Sequence, residues 1–305
     1  MRKSHVISLF ILFIIVTVLI LSQAFTGPSS DTMLNGATRS PVTVPPTPAK
    51  TPVPTATPVP QATPVVRPQI NFSEYAGLSQ DTVYWYTSMV RDSADSDKVT
   101  YYPDPAASAL IQGTSCFYER AQGEGKEIYL TFKLGYYNNE SDILDILKTS
   151  NVKATFLVPA NYVGLNKGKE KETQDVLRRI VEEGHTMAAR DAINVQVTPE
   201  QFCDNLWTVT EIYQQYVGDT KKVDYYYPDK LSKQNIALIE AMGSKVLLFS
   251  FSVGGEANSA TILSNMVKNT ADGSILSLTT SKNQSGALAD YVSQMTAKGY
   301  VFRAL

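Results

Sequence analysis

Hydrolytic and acid-base chemistry near neutral pH usually needs histidine, or carboxylates held where burial or a neighbour can tune them, and this chain is poor in both arrangements. Its 305 residues contain two histidines, of which only His185 lies beyond the N-terminal apolar segment. A Ser or Cys nucleophile needs a base beside it, and no Ser, Asp or Glu is placed by pattern to form a triad with His185. A lone histidine is more often a satisfied structural residue than a working one. Asp191 with Glu256 would be a candidate acid-base pair only if folding brought them together. More conspicuous are two cations and a group of tyrosines placed just where β-rich runs end: Lys133 and Arg190, and Tyr136, Tyr137, Tyr162, Tyr225, Tyr226 and Tyr227. Guanidinium and ammonium groups suit carboxylate recognition, and flat phenol faces with hydroxyl tips suit sugar rings. The competing reading is that the cations pair with Asp191, Glu256 or Asp229 and close the mouth they occupy, with the tyrosines as packing.

The elements that would position these residues begin at Lys126. From there β-rich runs (128–132, 154–158, 186–189, 223–227, 246–251, 274–278 and 300–303) alternate with helical periodicity (141–149, 171–183, 199–216, 233–241, 260–268 and 286–298). Thr198, Pro199 and Gln201 give the third helix the clearest start, a capping box with proline in the first turn. Strict alternation predicts α/β architecture, a parallel barrel of about seven strands. In such barrels chemistry gathers at the C-terminal strand ends, which is where Lys133 and Arg190 fall.

The first quarter of the chain cannot add to that core. Residues 6–25 carry no charge and follow Arg2 and Lys3, so residues 1–25 read as a single-pass signal anchor, a transmembrane helix with a cytoplasmic N-terminus. Cleavage near Ala24, giving a secreted protein, is the alternative. Residues 26–68 form a Pro/Thr-rich linker: ten of the sixteen prolines lie between 41 and 68, and TPVP occurs at Thr51 and Thr57. As polyproline II, residues 41–68 would span at most about 80–90 Å. Residues 69–125 read as an irregular extension packed on a main domain at 126–305. The net charge of −2 points away from nucleic acid, and two cysteines, Cys116 and Cys203, permit a disulfide without requiring one.

Several stretches from Lys126 to Leu305 agree in order and spacing with the polysaccharide deacetylases. They are IYLTF followed by Gly135-Tyr136-Tyr137-Asn138, ILDIL, VKATF, EEGHT, a tyrosine-rich strand before Pro228, and GSILSL followed by Ser281-Lys282-Asn283. The chain thus resembles the NodB-like family 4 carbohydrate esterases, closest to the delta-lactam-type peptidoglycan deacetylases. The resemblance implies a distorted parallel (β/α) barrel, and it also implies a site whose working residues have changed. Where the family has a general base followed by a metal-binding aspartate, this chain has Lys133 and Leu134. Its two metal-binding histidine slots fall on Arg190 and Asn194, while His185 belongs to a Gly-His pair that is not a ligand in the family. The slot of the arginine that orients the base falls on Tyr226 or Tyr227. Gly255-Glu256 stands for Asp-Trp, and Thr279 takes the place of the histidine acid.

With these slots changed, the resemblance implies no catalytic residue, no metal and no cofactor. It leaves a hypothetical binding set of Lys133, Arg190, Asn194, Tyr136, Tyr137 and Tyr227. The expected protein is a membrane-held, extracytoplasmic pseudoenzyme that binds peptidoglycan or scaffolds wall enzymes. Its alternatives are a divergent carbohydrate N-deacetylase and a protein-binding regulator of wall enzymes whose partner the residues do not name.

Overall fold

A computed structural model describes residues 63–95, 98–120, 126–254 and 258–305. The expected anchor at 1–25 and the linker as far as residue 62 lie outside the described residues. Among the described residues, no helix is long and apolar enough to cross a membrane.

In chain order the strands are β1 (Thr87–Arg91), β2 (Val99–Pro103), β3 (Glu127–Lys133), β4 (Thr155–Pro159), β5 (Thr186–Arg190), β6 (Tyr225–Tyr227), β7 (Lys245–Val246), β8 (Phe251–Ser252), β9 (Ser274–Thr279) and β10 (Val301–Arg303). Strands β3 to β10 make one parallel sheet in the spatial order β7-β6-β5-β4-β3-β9-β8, with β10 pairing with β3. β10 takes the first half of β3, Glu127 to Tyr129, and β4 the second, Thr131 to Lys133. Residues 128–132 of β3 and all five of β4 are buried, the near-continuous apolar pattern of strands covered on both faces. The result is a parallel α/β half-barrel.

Helices link the strands: α1 (Pro105–Ile111), α2 (Glu140–Thr149), α3 (Tyr162–Leu165), α4 (Glu170–Glu182), α5 (Pro199–Val217), α6 (Lys233–Ala241), α7 (Ser259–Asn269) and α8 (Lys282–Ala297). The inward faces of α2 (Ile143, Leu144, Leu147) and α4 (Val176, Leu177, Ile180) follow the three-to-four spacing of one helical stripe. α5 starts with the expected capping box: Gln201 N donates to Thr198 Oγ1 and Thr198 N to Gln201 Oε1. α8 begins at Lys282 rather than at Gly286, because Ser281 caps it by accepting from Gln284 N. Gly286 instead lies inside the helix, where a Cβ would come within 2.8 Å of Ser259 Oγ on α7.

Two expectations need correction. The expected strand at 246–251 is two short strands, β7 and β8, because the backbone between them bonds elsewhere. Phe117 N donates to Val246 O, Leu248 N donates to Phe117 O, and Ser250 Oγ donates to Tyr118 O. The stretch 69–125 is also more regular than expected. β1 and β2 pair antiparallel, α1 is capped by Asp104, and Phe117 and Glu119 bridge to Leu247, just after β7, and to Ser274 at the start of β9. Before that stretch, Val65 N donates to Asp219 O and Arg67 pairs with Asp204 at 2.5 Å, so residues 63–68 are also held to the domain. Cys116 and Cys203 are both free thiols, and burial pushes each up to about 11.

Candidate functional site

Strand register gathers part of the expected set at the C-terminal edge of the sheet. Lys133 is level with Leu157 on β4 and Thr279 on β9, and Arg190 is level with Pro159 on β4 and Tyr227 on β6. Gly135, at φ +96°, turns the chain sharply after β3; a Cβ there would lie 2.6 Å from Ile193 Cδ1. The turn brings Tyr136 over this edge.

Arg190 is fully buried. One terminal nitrogen, NH2, donates to Tyr136 Oη (2.8 Å) and to both oxygens of Asp229 (2.9 and 3.0 Å), while Nε and NH1 have no protein partner. The guanidinium carbon sits 4.7 Å from the Tyr136 ring centroid. Burial opposes its charge, but Asp229 and Tyr136 outweigh burial and hold its pKa above the ordinary value. Asp229 is itself fixed: its backbone N donates to Asp191 Oδ2, and Asp191 Oδ1 accepts from Tyr226 Oη at 2.6 Å. Burial pushes Asp191 above the usual carboxylate range and pushes Tyr226 well above the usual phenol range.

Lys133 is treated differently. Its Nζ donates to Tyr227 Oη at 3.2 Å and lies 4.8 Å and 5.4 Å from the ring centroids of Tyr227 and Phe249. No carboxylate among the described residues pairs with it. Desolvation, with repulsion from Arg190, lowers its pKa to about 8, and Asp229 only partly opposes that shift.

The remaining slots do not join them. Leu134 is fully buried and faces the core, with its N donating to Leu157 O. Thr279 gives both its N and its Oγ1 to Gln284 Oε1. Tyr226 is buried behind the edge and committed to Asp191, which leaves Tyr227 at the edge. Asn194, at φ +59°, is exposed on the rim of a second cleft of about 760 Å³. Tyr137 is half-exposed, and its carbonyl accepts from Thr280 Oγ1. Gly255 and Glu256 lie outside the described residues. His185 is buried, accepts from Ala154 N at Nδ1 and packs edge-on against Phe156, while its Nε2 is buried without a partner; burial lowers its pKa to about 4.

Lys133, Tyr136, Tyr227 and Asp229 line a cleft of about 670 Å³. Its opposite wall comes from residues that sequence reasoning did not single out for chemistry: Tyr84, Trp85, Tyr86 and Met89 from the extension, with Phe249 and Ser252. This wall is pinned by Trp85 Nε1 donating to Phe249 O (2.8 Å) and Thr87 Oγ1 to Ser250 O (2.5 Å). Lys230 adds a second cation at the rim, its Nζ 5.0 Å from the Tyr84 ring centroid. With Asp229 engaged by Arg190, the free charge that the described residues present to the cleft is positive. An anion or a flat polar ring matches it; a divalent cation does not.

The slots that the resemblance assigns to a metal fail the same test. Leu134 offers no donor, Arg190 carries a fixed positive charge, and Asn194 faces another cleft. Among the described residues, no group of three or more His, Cys, Asp or Glu is arranged to hold a metal ion.

Comparison with known proteins bears on the fold. The family described as polysaccharide deacetylase matches residues 120–263. The chain is 25% identical over 210 residues to the peptidoglycan-N-acetylmuramic acid deacetylase PdaA of Bacillus subtilis (strain 168), covering 65% of this chain and 76% of that protein. The solved structure of Bacillus subtilis PdaA, a family 4 carbohydrate esterase, matches with a TM-score of 0.63 at 22% identity, covering 74% of this chain and 96% of that one. A family 4 pseudoenzyme from Bacillus anthracis matches with a TM-score of 0.53 at 16% identity, covering 61% and 66%.

Proposed function

We propose that this chain, which carries a polysaccharide deacetylase domain of the NodB-like, family 4 type, uses that domain to bind cell-wall glycan without deacetylating it. The observation that carries the reading is the fate of the base and metal positions: Lys133 stands cationic at one, and Leu134 is sealed in the core at the other. In metal-assisted amide hydrolysis the metal polarises the carbonyl and lowers the pKa of its bound water, and neither lysine nor leucine supplies that. The aromatic, positively charged cleft suits a glycan with carboxylates, and peptidoglycan is the glycan named for PdaA. A pseudoenzyme with the same fold, in Bacillus anthracis, is a precedent for chemistry lost within this architecture. Residues 1–25 would tether the domain to the membrane and 26–62 would hold it in the wall, with the domain outside the cell.

A divergent hydrolase is the second reading. It is favoured by the Lys133 pKa of about 8, which leaves a minor but appreciable fraction of the amine neutral near physiological pH. Acetate release and wall cosedimentation of the full chain separate the two. The proposal expects cosedimentation with purified peptidoglycan, weakened by Tyr86→Ala, and no acetate above blank. Acetate release dependent on stoichiometric zinc overturns the loss of catalysis, and a wild-type chain that never cosediments overturns glycan binding.

A further inference from the structure

Lys133 combines features that surface lysines lack. It lines a cleft of about 670 Å³, is half-buried, and has two aromatic faces within 5.4 Å of its nitrogen. Tyr227 Oη anchors that nitrogen at 3.2 Å, and no carboxylate among the described residues neutralises it. Among the described residues, its close charged and titratable neighbours are Arg190, Asp229, Tyr136, Tyr227 and Lys230; the one carboxylate of these, Asp229, is already occupied by Arg190. A lysine desolvated beside a second cation is a recognised way to make an amine nucleophile.

We propose that Lys133 Nζ is an imine-forming nucleophile that captures the aldehyde of an open-chain reducing sugar entering this cleft. The nitrogen adds to the carbonyl carbon and one N–H proton passes to the carbonyl oxygen. The resulting hydroxyl then leaves as water with the second N–H proton, forming C=N and requiring no oxidant or reductant. The proposal does not depend on peptidoglycan binding, because any reducing sugar short enough to enter supplies the aldehyde.

The lowered pKa of about 8 supports the geometry. At pH 7.5 about a quarter of such an amine is neutral, against about a thousandth for an ordinary lysine. Weaker intrinsic nucleophilicity at lower pKa offsets part of that gain and leaves an advantage of about tenfold.

The test treats the full chain with N-acetylglucosamine, glyceraldehyde or propanal in the presence of cyanoborohydride, and maps the reduced adducts by peptide mass spectrometry from pH 6.5 to 10. The expected result is that both sugars label Lys133 first, about ten times faster than exposed Lys245 at pH 7.5, with half-maximal rate near pH 8 and the preference abolished in urea. Equal rates at Lys133 and Lys245, or a preference that survives in urea, overturn the proposal. Labelling by propanal alone overturns the sugar assignment. Wild type carries these outcomes, so a poorly folding variant cannot mask them.

Discussion

On the β5–β6 side of the mouth, Arg190 is fully buried and spends its NH2 on Asp229 and Tyr136; on β3, two strands away, Lys133 stays half-buried against aromatic rings without a carboxylate. The contrast follows from the side chains. A guanidinium is planar and weakly hydrated, so it tolerates burial when a carboxylate faces it, and its charge is fixed. An ammonium is compact and strongly hydrated, so desolvation without a partner shifts its protonation instead. One half of the mouth is therefore locked and the other is chemically adjustable.

The largest test concerns the residue beside Lys133. Leu134→Asp restores a carboxylate at a position with no solvent exposure, and it should lower stability by about 4 kcal/mol or more, read as the urea midpoint. A loss below about 1.5 kcal/mol would mean that the side chain reaches the cleft and that the β3 half is open enough to seat a metal ligand. Next comes Asp229→Ala, which strands the buried Arg190 charge and should cost about 3 kcal/mol. Arg190→Met should cost less, about 1 kcal/mol, because the Asp229 side chain it leaves behind is 39% exposed and can turn to water. Reversal of that order would break the description of the β5–β6 half as built around a buried cation.

The halves also differ in how far they could be read in advance. Residues 128–132 and 154–158 are mainly apolar runs, each with a single threonine, and pattern alone located β3, β4 and the cations at the ends of β3 and β5. Three acids were candidates to meet Arg190, and pattern could not choose among them. Register decides it: Tyr227 lies level with Arg190, so Asp229 follows just past the strand end, while Asp191 is taken by Tyr226. The split of 246–251 was illegible because its hydrogen-bond partner, Phe117, comes from a segment with no periodic signal. The aromatic wall was hidden for the same reason: Trp85 reaches the cleft through a contact with Phe249 far along the chain, and local pattern does not encode that pairing.

Acid-base behaviour sharpens the comparison on the Lys133 side. The folded pKa of about 8 lies below the ordinary 10.5, so between those values the unfolded chain holds more protons at this site than the folded chain does. Stability contributed at this site therefore rises with pH across that window, and the folded state bears the cost of the buried charge below pH 8. Wild type should be less stable than Lys133→Met at pH 7 by about 1–3 kcal/mol, with the gap closing towards pH 10.5. Paired urea melts at several pH values read it directly, because the other titrating groups cancel in the difference. A gap independent of pH would mean that Lys133 is hydrated in the folded state, and the halves would then differ in partner only.

The smallest effect belongs to Tyr136→Phe, which keeps the ring over the guanidinium and removes only the hydroxyl that accepts from NH2. That nitrogen is already shared with both oxygens of Asp229, and Tyr136 is half-exposed, so the hydroxyl is a supplementary acceptor. A loss of about 0.5–1 kcal/mol is expected in the same melts, well below the Asp229→Ala loss. Nε and NH1 of Arg190 have no protein partner in either case, so the substitution leaves their desolvation unchanged and isolates the one bond. If Tyr136→Phe instead cost more than Asp229→Ala, the phenol rather than the carboxylate would be what keeps Arg190 inside. The locked half of the mouth would then rest on a phenol hydroxyl, as the Lys133 nitrogen does on that of Tyr227.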